Sequence, residues 1–194
     1  MEIKLIEPSL KGKISLEEVL GRRKSIRKFS EKEITLKDFS QLLWACYGKN
    51  IYGKRTVPSA GATYPLEIFV VVRNVESLKP GLYHYNSKKH SIKLVKEGDF
   101  SSELCSFCLN QGFVKKAAFN IIIAAEFERT TAYYGKRGEM YVLLEAGHAA
   151  QNVYLEATAL NLGCVAVGAF DELKVKKFFE LKAHPLYILS IGSL

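Results

Sequence analysis

Arg22, Arg23, Lys24, Ser25, Arg27 and Lys28 crowd into the run RRKSIRKF, and cations packed around a hydroxyl suit a phosphate group. The planar guanidinium fork donates two parallel hydrogen bonds to such a ligand, and Ser25 can add a third. Other readings stay open for this run. It would serve equally as a solvated charged face, or as a nucleic-acid contact, although it lacks the interleaved aromatic residues that stack on single-strand bases. A second candidate, TVPSAGATYP from Thr56 to Pro65, carries no titratable catalytic group. Its two prolines fix the ends, while Ser59, Ala60, Gly61 and Ala62 leave the backbone amides open to a planar ligand. An ordinary loop leading into a strand has the same composition. A third, GCVAVGAFD, reads as a strand ending in Val167, Gly168 and Ala169 before a helix capped by Asp171. Backbone amides at such strand ends commonly meet ligands, and Gly168 leaves room for a ring face.

Several chemistries lose support by omission. The chain has no G-x-G-x-x-G, P-loop, H-E-x-x-H or G-x-S-x-G pattern, which argues against the usual dinucleotide-fold dehydrogenases, nucleotide hydrolases, zinc proteases and esterases. Cys105 and Cys108 form a lone C-x-x-C without the second pair that zinc requires, so they read as small apolar residues. His84, His90, His148 and His184 are scattered and read as structural or surface residues. No metal site is expected.

The 194 residues, 48% apolar and 25% charged, match a single folded domain spanning 1–194. The net charge of +8 favours anionic partners. The longest charge-free apolar run, Ala117 to Ala125, is too short to cross a bilayer. Glu2, Lys4 and Glu7 interrupt the start of the chain, so no secretion signal is expected and a cytoplasmic location follows.

The elements that must position these residues can be read from caps and periodicity. Ser15 with Glu18 opens a short helix over Leu16 to Leu20 that Gly21 ends, and Thr35 with Asp38 opens another that runs to Gly48. Glu67 to Arg73 and Asn120 to Phe127 read as strands covered on both faces. Gly81 to Tyr85 and Ser91 to Val95 form a hairpin. A helix is expected from Asp99 to Gln111, a long central one from Glu139 to Leu160, then a strand over Gly163 to Gly168, a helix ending near Glu180, and a last strand over Leu186 to Ile191. On the long helix, Glu145, His148, Asn152 and Glu156 share a polar arc, while Ala146, Ala150, Val153 and Ala157 line a face of small residues. Gln151 lies just beyond the arc among Leu144, Gly147 and Leu155, where a buried amide would need a backbone or cofactor partner. Strands and helices mix without strict alternation, which makes the expected class α+β, a mainly antiparallel sheet packed by helices.

In this order the three constellations resemble the nitroreductase superfamily, and within it the SagB-type dehydrogenases. The likeness extends through GLYHYNSKKHSIKLV, NQGFV and YYGKRGEMYVLLEAGHAAQNVYLEATALNLG, and covers Arg22 to Gly192. It implies a nitroreductase-like α+β homodimer holding FMN between subunits, reduced by NAD(P)H. Arg23, Lys24, Ser25 and Arg27 match the family's phosphate and ribityl segment, and Pro58, Ser59, Ala60 and Gly61 the loop beside the flavin ring. Gln111 matches the amide at the pyrimidine edge, and Val167, Gly168 and Ala169 the strand end whose amide, at Gly168, approaches flavin N5. A flavin performs hydride chemistry itself, which explains a site poor in catalytic side chains. Two departures stand out. The Lys-Tyr pair tied to azoline oxidation in SagB-type relatives reads Tyr133, Tyr134 here, with Arg137 retained. The C-terminal basic phosphate contact of many nitroreductases also has no counterpart after Lys182, and Arg137 is expected to replace it. A small electron-poor acceptor and ping-pong turnover are therefore expected; a modified-peptide dehydrogenase, a flavin carrier and a basic nucleic-acid module are the alternatives.

Overall fold

Short polar side chains start the first helices where their spacing places them. In the computed structural model, which describes residues 2–194, β1 (Glu2–Lys4) precedes α1 (Leu16–Arg22), whose first turn is capped by Ser15 accepting from the Glu18 N–H. This helix runs through Gly21, and Arg23 caps its C-terminus. Thr35 accepts from the Asp38 N–H and opens α2 (Leu36–Tyr47), which Gly48 ends.

The apolar runs become the centre of a seven-stranded sheet. After β2 (Leu66–Val72), β3 (Gly81–Asn86) and β4 (Ser91–Glu97) come α3 (Ser101–Phe107), α4 (Gly112–Lys116) and β5 (Phe119–Ala125). Then follow α5 (Glu128–Tyr134), α6 (Arg137–Ala159), β6 (Leu162–Val167), α7 (Glu172–Phe178) and β7 (His184–Ser193). The strand order is β1-β4-β3-β2-β5-β7-β6, and every pairing between these strands is antiparallel; one isolated parallel bridge joins Ile34 to Val75. The α+β architecture expected from the pattern is the one found.

Alternation along the strands builds two cores. Ile68, Val70, Val72, Ile121 and Ile123 face one side, where α2 and α6 cover them with Phe39, Leu42, Leu43, Val142, Ala146, Ala150, Val153 and Ala157. Val71, Ile122 and Ile188 face the other, under Leu104, Cys108, Val114, Val175 and Phe179 from α3, α4 and α7. Both faces of β2 and β5 are therefore buried, as a continuous apolar run requires.

Two expectations need correction. The helix expected over Asp99–Gln111 ends at Phe107, because Leu109 and Asn110 adopt left-handed φ values of 54° and 56°, and a second short helix starts at Gly112. On α6 the orientation of the faces also differs from the wheel's simplest reading. Glu145, on the polar arc, is only 3% exposed, and Asn152 donates to Ala45 O at 3.1 Å and Thr56 O at 3.3 Å, so these two members of the arc point inward while His148 is exposed. Facing solvent instead is a stripe of Met140, Leu143, Leu144, Gly147 and Gln151. Gln151 is exposed, so it is not the buried amide expected. Solvent contact satisfies its donors, whereas the apolar stripe around it is left without cover.

β6 forms one edge of the sheet, and its outer side is occupied by the basic segment. Ile26 N–H donates to Cys164 O and Ser30 N–H to Ser193 O, each at 2.9 Å. Phe29 lies so close over Gly192 that an added Cβ would stand 2.5 Å from its ring, with Gly163 similarly covered. Gly192→Val is expected to cost about 1–3 kcal/mol by overpacking and to lower the melting temperature, since Phe29 cannot move without lifting the basic segment off β6. Thermal unfolding of the variant checks this.

Candidate functional site

Along the outer side of β6, two of the residues expected to grip phosphate, Arg23 and Ser25, meet at one tyrosine. The Tyr154 hydroxyl, from the last turns of α6, accepts from the Ala166 N–H at 2.7 Å and lies 2.9 Å from Ser25 Oγ. The Arg23 guanidinium stacks over the same ring, 5.2 Å from its centroid. The Tyr154–Ser25 contact uses one of the two hydroxyl protons; with Tyr154 as donor, the Ser25 O–H is left for an anion. Arg22 is paired with Glu18 at 2.9 Å, but among the described residues Arg23, Lys24, Arg27 and Lys28 have no carboxylate partner. Four cations without a carboxylate partner on one short run give it a local excess of positive potential.

Gln111, Val167, Gly168 and Ala169 complete this first half. The Gln111 amide donates to Cys108 O at 3.0 Å and reaches Ala169 O at 3.3 Å, so the loop before α4 is tied to the strand end of β6. Arg27 reaches the same loop by stacking 6.0 Å over Phe113. Among the described residues the Gly168 and Ala169 N–H groups have no protein acceptor. A Cβ added to Gly168 would meet only Tyr187, at 3.8 Å, so the space above this backbone is open. Asp171 then accepts from the Lys174 N–H at 3.0 Å and caps α7 as expected.

The Pro58–Gly61 loop forms a second half elsewhere. It enters β2 through a left-handed stretch, with Gly61, Ala62 and Tyr64 at φ 58°, 54° and 49°. Ser59 Oγ accepts from the Tyr64 N–H at 3.0 Å, Ala62 N–H donates back to Ser59 O, and among the described residues the Ser59, Ala60 and Gly61 N–H groups are unclaimed. Tyr134 covers Gly61, where an added Cβ would lie 2.8 Å from the phenol oxygen. Left-handed non-glycine residues cost energy and cluster at functional sites.

Beneath the loop lies a buried polar cluster that composition did not reveal. Tyr47 donates to Glu145 Oε1 at 2.6 Å, and Arg55 stacks over Tyr47 and Tyr64 at 5.3 and 5.0 Å. Burial holds the Glu145 carboxyl above its ordinary value, against the opposing pull of the Tyr47 and Ser59 hydroxyls and the Arg55 charge. Tyr154 was also missed by sequence reasoning. Aromatic residues at helical spacing signal packing, and only the fold reveals that this hydroxyl reaches β6.

Within one chain the two halves stay apart. The strand end of β6 and the entry to β2 lie at the same end of the sheet with β7 and β5 between them, about 14 Å from strand to strand. Along α6, Glu145 and Tyr154 are separated by roughly 13 Å of helix rise. Arg137, expected near the phosphate segment, opens α6 and stacks over Tyr141 at 5.8 Å, roughly 25 Å along the helix from Tyr154. It does not join the basic segment of its own chain. Tyr133 is 81% exposed.

Cys105 and Cys108 are buried against the second core, and burial pushes the Cys108 thiol up to about 12, which keeps it protonated and unreactive at neutral pH. Among the described residues no cluster of His, Cys, Asp or Glu could hold a metal, and no helix is long and apolar enough to cross a membrane.

Comparison with known proteins adds to this geometry. Residues 20–193 match the family model described as the nitroreductase family. A Methanocaldococcus jannaschii protein described as a nitroreductase, MJ1384, is 45% identical over 193 residues, which cover 99% of this chain and 96% of that protein. The trifolitoxin operon protein TfxC of Rhizobium leguminosarum bv. trifolii is 24% identical over 212 residues, 97% of this chain and 58% of its own length. Among solved structures, a Ralstonia eutropha protein described as a nitroreductase superposes with a TM-score of 0.86 at 29% identity, covering 99% of this chain and 89% of that one.

Proposed function

Because the chain belongs to the nitroreductase family, we propose that it is an FMN-dependent oxidoreductase that draws hydride from NAD(P)H and delivers it to a small electron-poor acceptor. It works as a homodimer, with each flavin between the first half of one subunit and the loop half of the other. The single observation behind this reading is the division of the site. Each half offers unclaimed backbone donors, and neither encloses a ligand alone.

The donor set fits FMN. Arg23, Lys24, Arg27 and the free Ser25 hydroxyl would hold the phosphate, and Gln111 the polar edge of the ring. The open space over Gly168 accepts a planar face, with the Gly168 and Ala169 N–H groups as donors to its central atoms. FMN, when bound, supplies the hydride chemistry, so the protein needs no acid, base or metal of its own. Tyr154 fixes Ser25 and the β6 strand end in one frame, which sets the distance between phosphate grip and ring platform. Nicotinamide and acceptor then take turns over one face, a ping-pong scheme. Tyr133, standing where SagB-type relatives carry lysine, favours a small-molecule acceptor over a modified peptide.

An absorbance spectrum tests this reading. The purified protein should be yellow or take up added FMN, and should bleach anaerobically with reduced nicotinamide; a protein that takes up no flavin refutes it, and bound flavin that no nicotinamide reduces would make it a carrier. Gly168→Val gives a sharper check. It should leave the melting temperature unchanged, because the new side chain meets open space, yet weaken flavin binding about tenfold or more by blocking the ring. Arg137 can contact the phosphate only from the partner subunit. Unaltered FMN affinity in Arg137→Ala would remove it from the site.

A further inference from the structure

Arg55 is the most unusual charge in the molecule. It is only 9% exposed, forms no ion pair among the described residues, and its Nε has no hydrogen-bond partner. A guanidinium withdrawn from water without an ion pair is costly, and the Glu145 carboxyl feels the Arg55 charge without forming one. What surrounds it is aromatic, Tyr47 on one side at 5.3 Å and Tyr64 on the other at 5.0 Å. The two rings belong to different parts of the fold. Tyr47 ends α2, is 1% exposed and is locked by its hydrogen bond to Glu145 on α6. Tyr64 sits in the strained loop, left-handed at φ 49°. Arg55 therefore bridges the rigid core and a segment of the site whose backbone is under strain.

Strained backbone persists only where its surroundings over-determine it. Within the loop, Ala62, Thr63 and Tyr64 N–H groups are held by Ser59 O, Ala60 O and Ser59 Oγ. These bonds close the loop upon itself without fixing it to the body of the protein. The Arg55 stack on Tyr64 supplies that attachment, together with the Ser59 hydroxyl that acts on Glu145, Thr63 Oγ1 to Thr130 Oγ1 at 2.8 Å and the Arg129 bond to Tyr64 O at 3.1 Å. A planar cation that stacks on two rings at once can do this, whereas a lysine ammonium cannot.

We infer that Arg55 is a positioning residue for the ring-facing loop: clamped between Tyr47 and Tyr64, it holds Pro58–Tyr64 in its left-handed form and so sets affinity for the ring portion of the flavin. The inference rests on the flavin reading above. Its action falls on the ring and not on the phosphate, which lies with Arg23 in the other half.

The test compares unmodified protein, Arg55→Ala, Arg55→Lys and Tyr64→Leu, the last removing only the ring from the loop side. Dissociation constants for FMN and for riboflavin, which lacks the phosphate, should rise together by about tenfold in all three variants, leaving their ratio unchanged. Free guanidinium at low concentration should fill the space in Arg55→Ala and recover much of the loss. In flavin-free protein, hydrogen exchange at the Ala62, Thr63 and Tyr64 amides should accelerate in the variants while the α6 amides stay protected. Wild-type affinity for both flavins, a change confined to FMN, or a loss that guanidinium does not repair would overturn the inference. If unmodified protein takes up no flavin, the effect on affinity falls with the flavin reading. Unaltered exchange in the variants would separately show that Arg55 does not hold the loop.

Discussion

Gly147→Arg should yield a folded chain that neither pairs nor holds flavin. Gly147 lies at the centre of the exposed stripe formed by Met140, Leu143, Leu144 and Gln151, and a Cβ added there meets nothing within 4 Å. Inside the subunit the change is harmless, and replacing glycine in a helix interior improves helix propensity by about 0.5–1 kcal/mol. Any loss therefore comes from outside the subunit. In the proposed homodimer the exposed α6 stripes are where two copies would meet, and a bulky cation at Gly147 would prevent that contact and with it the supply of the partner's loop. FMN affinity should fall by about two orders of magnitude or more, equivalent to about 2.7 kcal/mol, while the circular dichroism spectrum stays that of the native fold. Sedimentation and flavin titration measure the two effects on one sample.

Arg23→Ala should be nearly as damaging, and selectively so. Among the described residues Arg23 has no carboxylate partner, and it stacks on Tyr154 beside Ser25, so its guanidinium is open to an anion and already oriented. Hydrogen bonds to charged groups contribute about 1.5–3 kcal/mol. FMN should therefore bind roughly 10- to 100-fold more weakly, while riboflavin, without the phosphate, binds as before. The contrast with the Arg55 variants, which weaken both flavins alike, separates the phosphate grip from the ring platform. Equal losses for FMN and riboflavin in Arg23→Ala would mean that the basic run is not the phosphate site.

The parts of this molecule that were legible in its sequence are those decided locally. Ser15, Thr35 and Asp171 announce helices because a short side chain capping its own next turn needs no information from elsewhere. β2 and β5 declare themselves because burial on both faces leaves the runs apolar except for Glu67 and Asn120. The break at Leu109 and Asn110 was hidden, since neither glycine nor proline marks it and only Asn110 tolerates a left-handed φ readily. The orientation of α6 was hidden for a different reason. A helical wheel ranks faces by polarity, whereas here the polar arc meets Tyr47, Ala45 O and Thr56 O inside the fold, and the apolar stripe lies outside.

Residues of the site divide along the same line. The basic run, the Pro58–Gly61 loop and the Val167–Ala169 strand end were found by composition, and the fold brings the first and third together with Gln111. Composition could not show that the second lies three strands away, because that depends on the strand order. Tyr154 and Arg55 were invisible as well. Each acts through a stack or a hydroxyl aimed across the fold, and neither residue type is unusual at its position in sequence.

Division of the site between two copies can be tested most directly by complementation. Arg23→Ala disables the phosphate half, and Gly61→Val disables the loop half, since Gly61 stands at φ 58° under Tyr134. At an FMN concentration well below the dissociation constants of the weakened sites, each variant alone should bind little FMN. Unfolding and refolding an equal mixture should restore flavin to roughly a quarter of the sites, because mixed dimers of a two-fold assembly contain one site with both halves intact. A mixture that binds no more FMN than the separate variants would contradict a site shared between subunits.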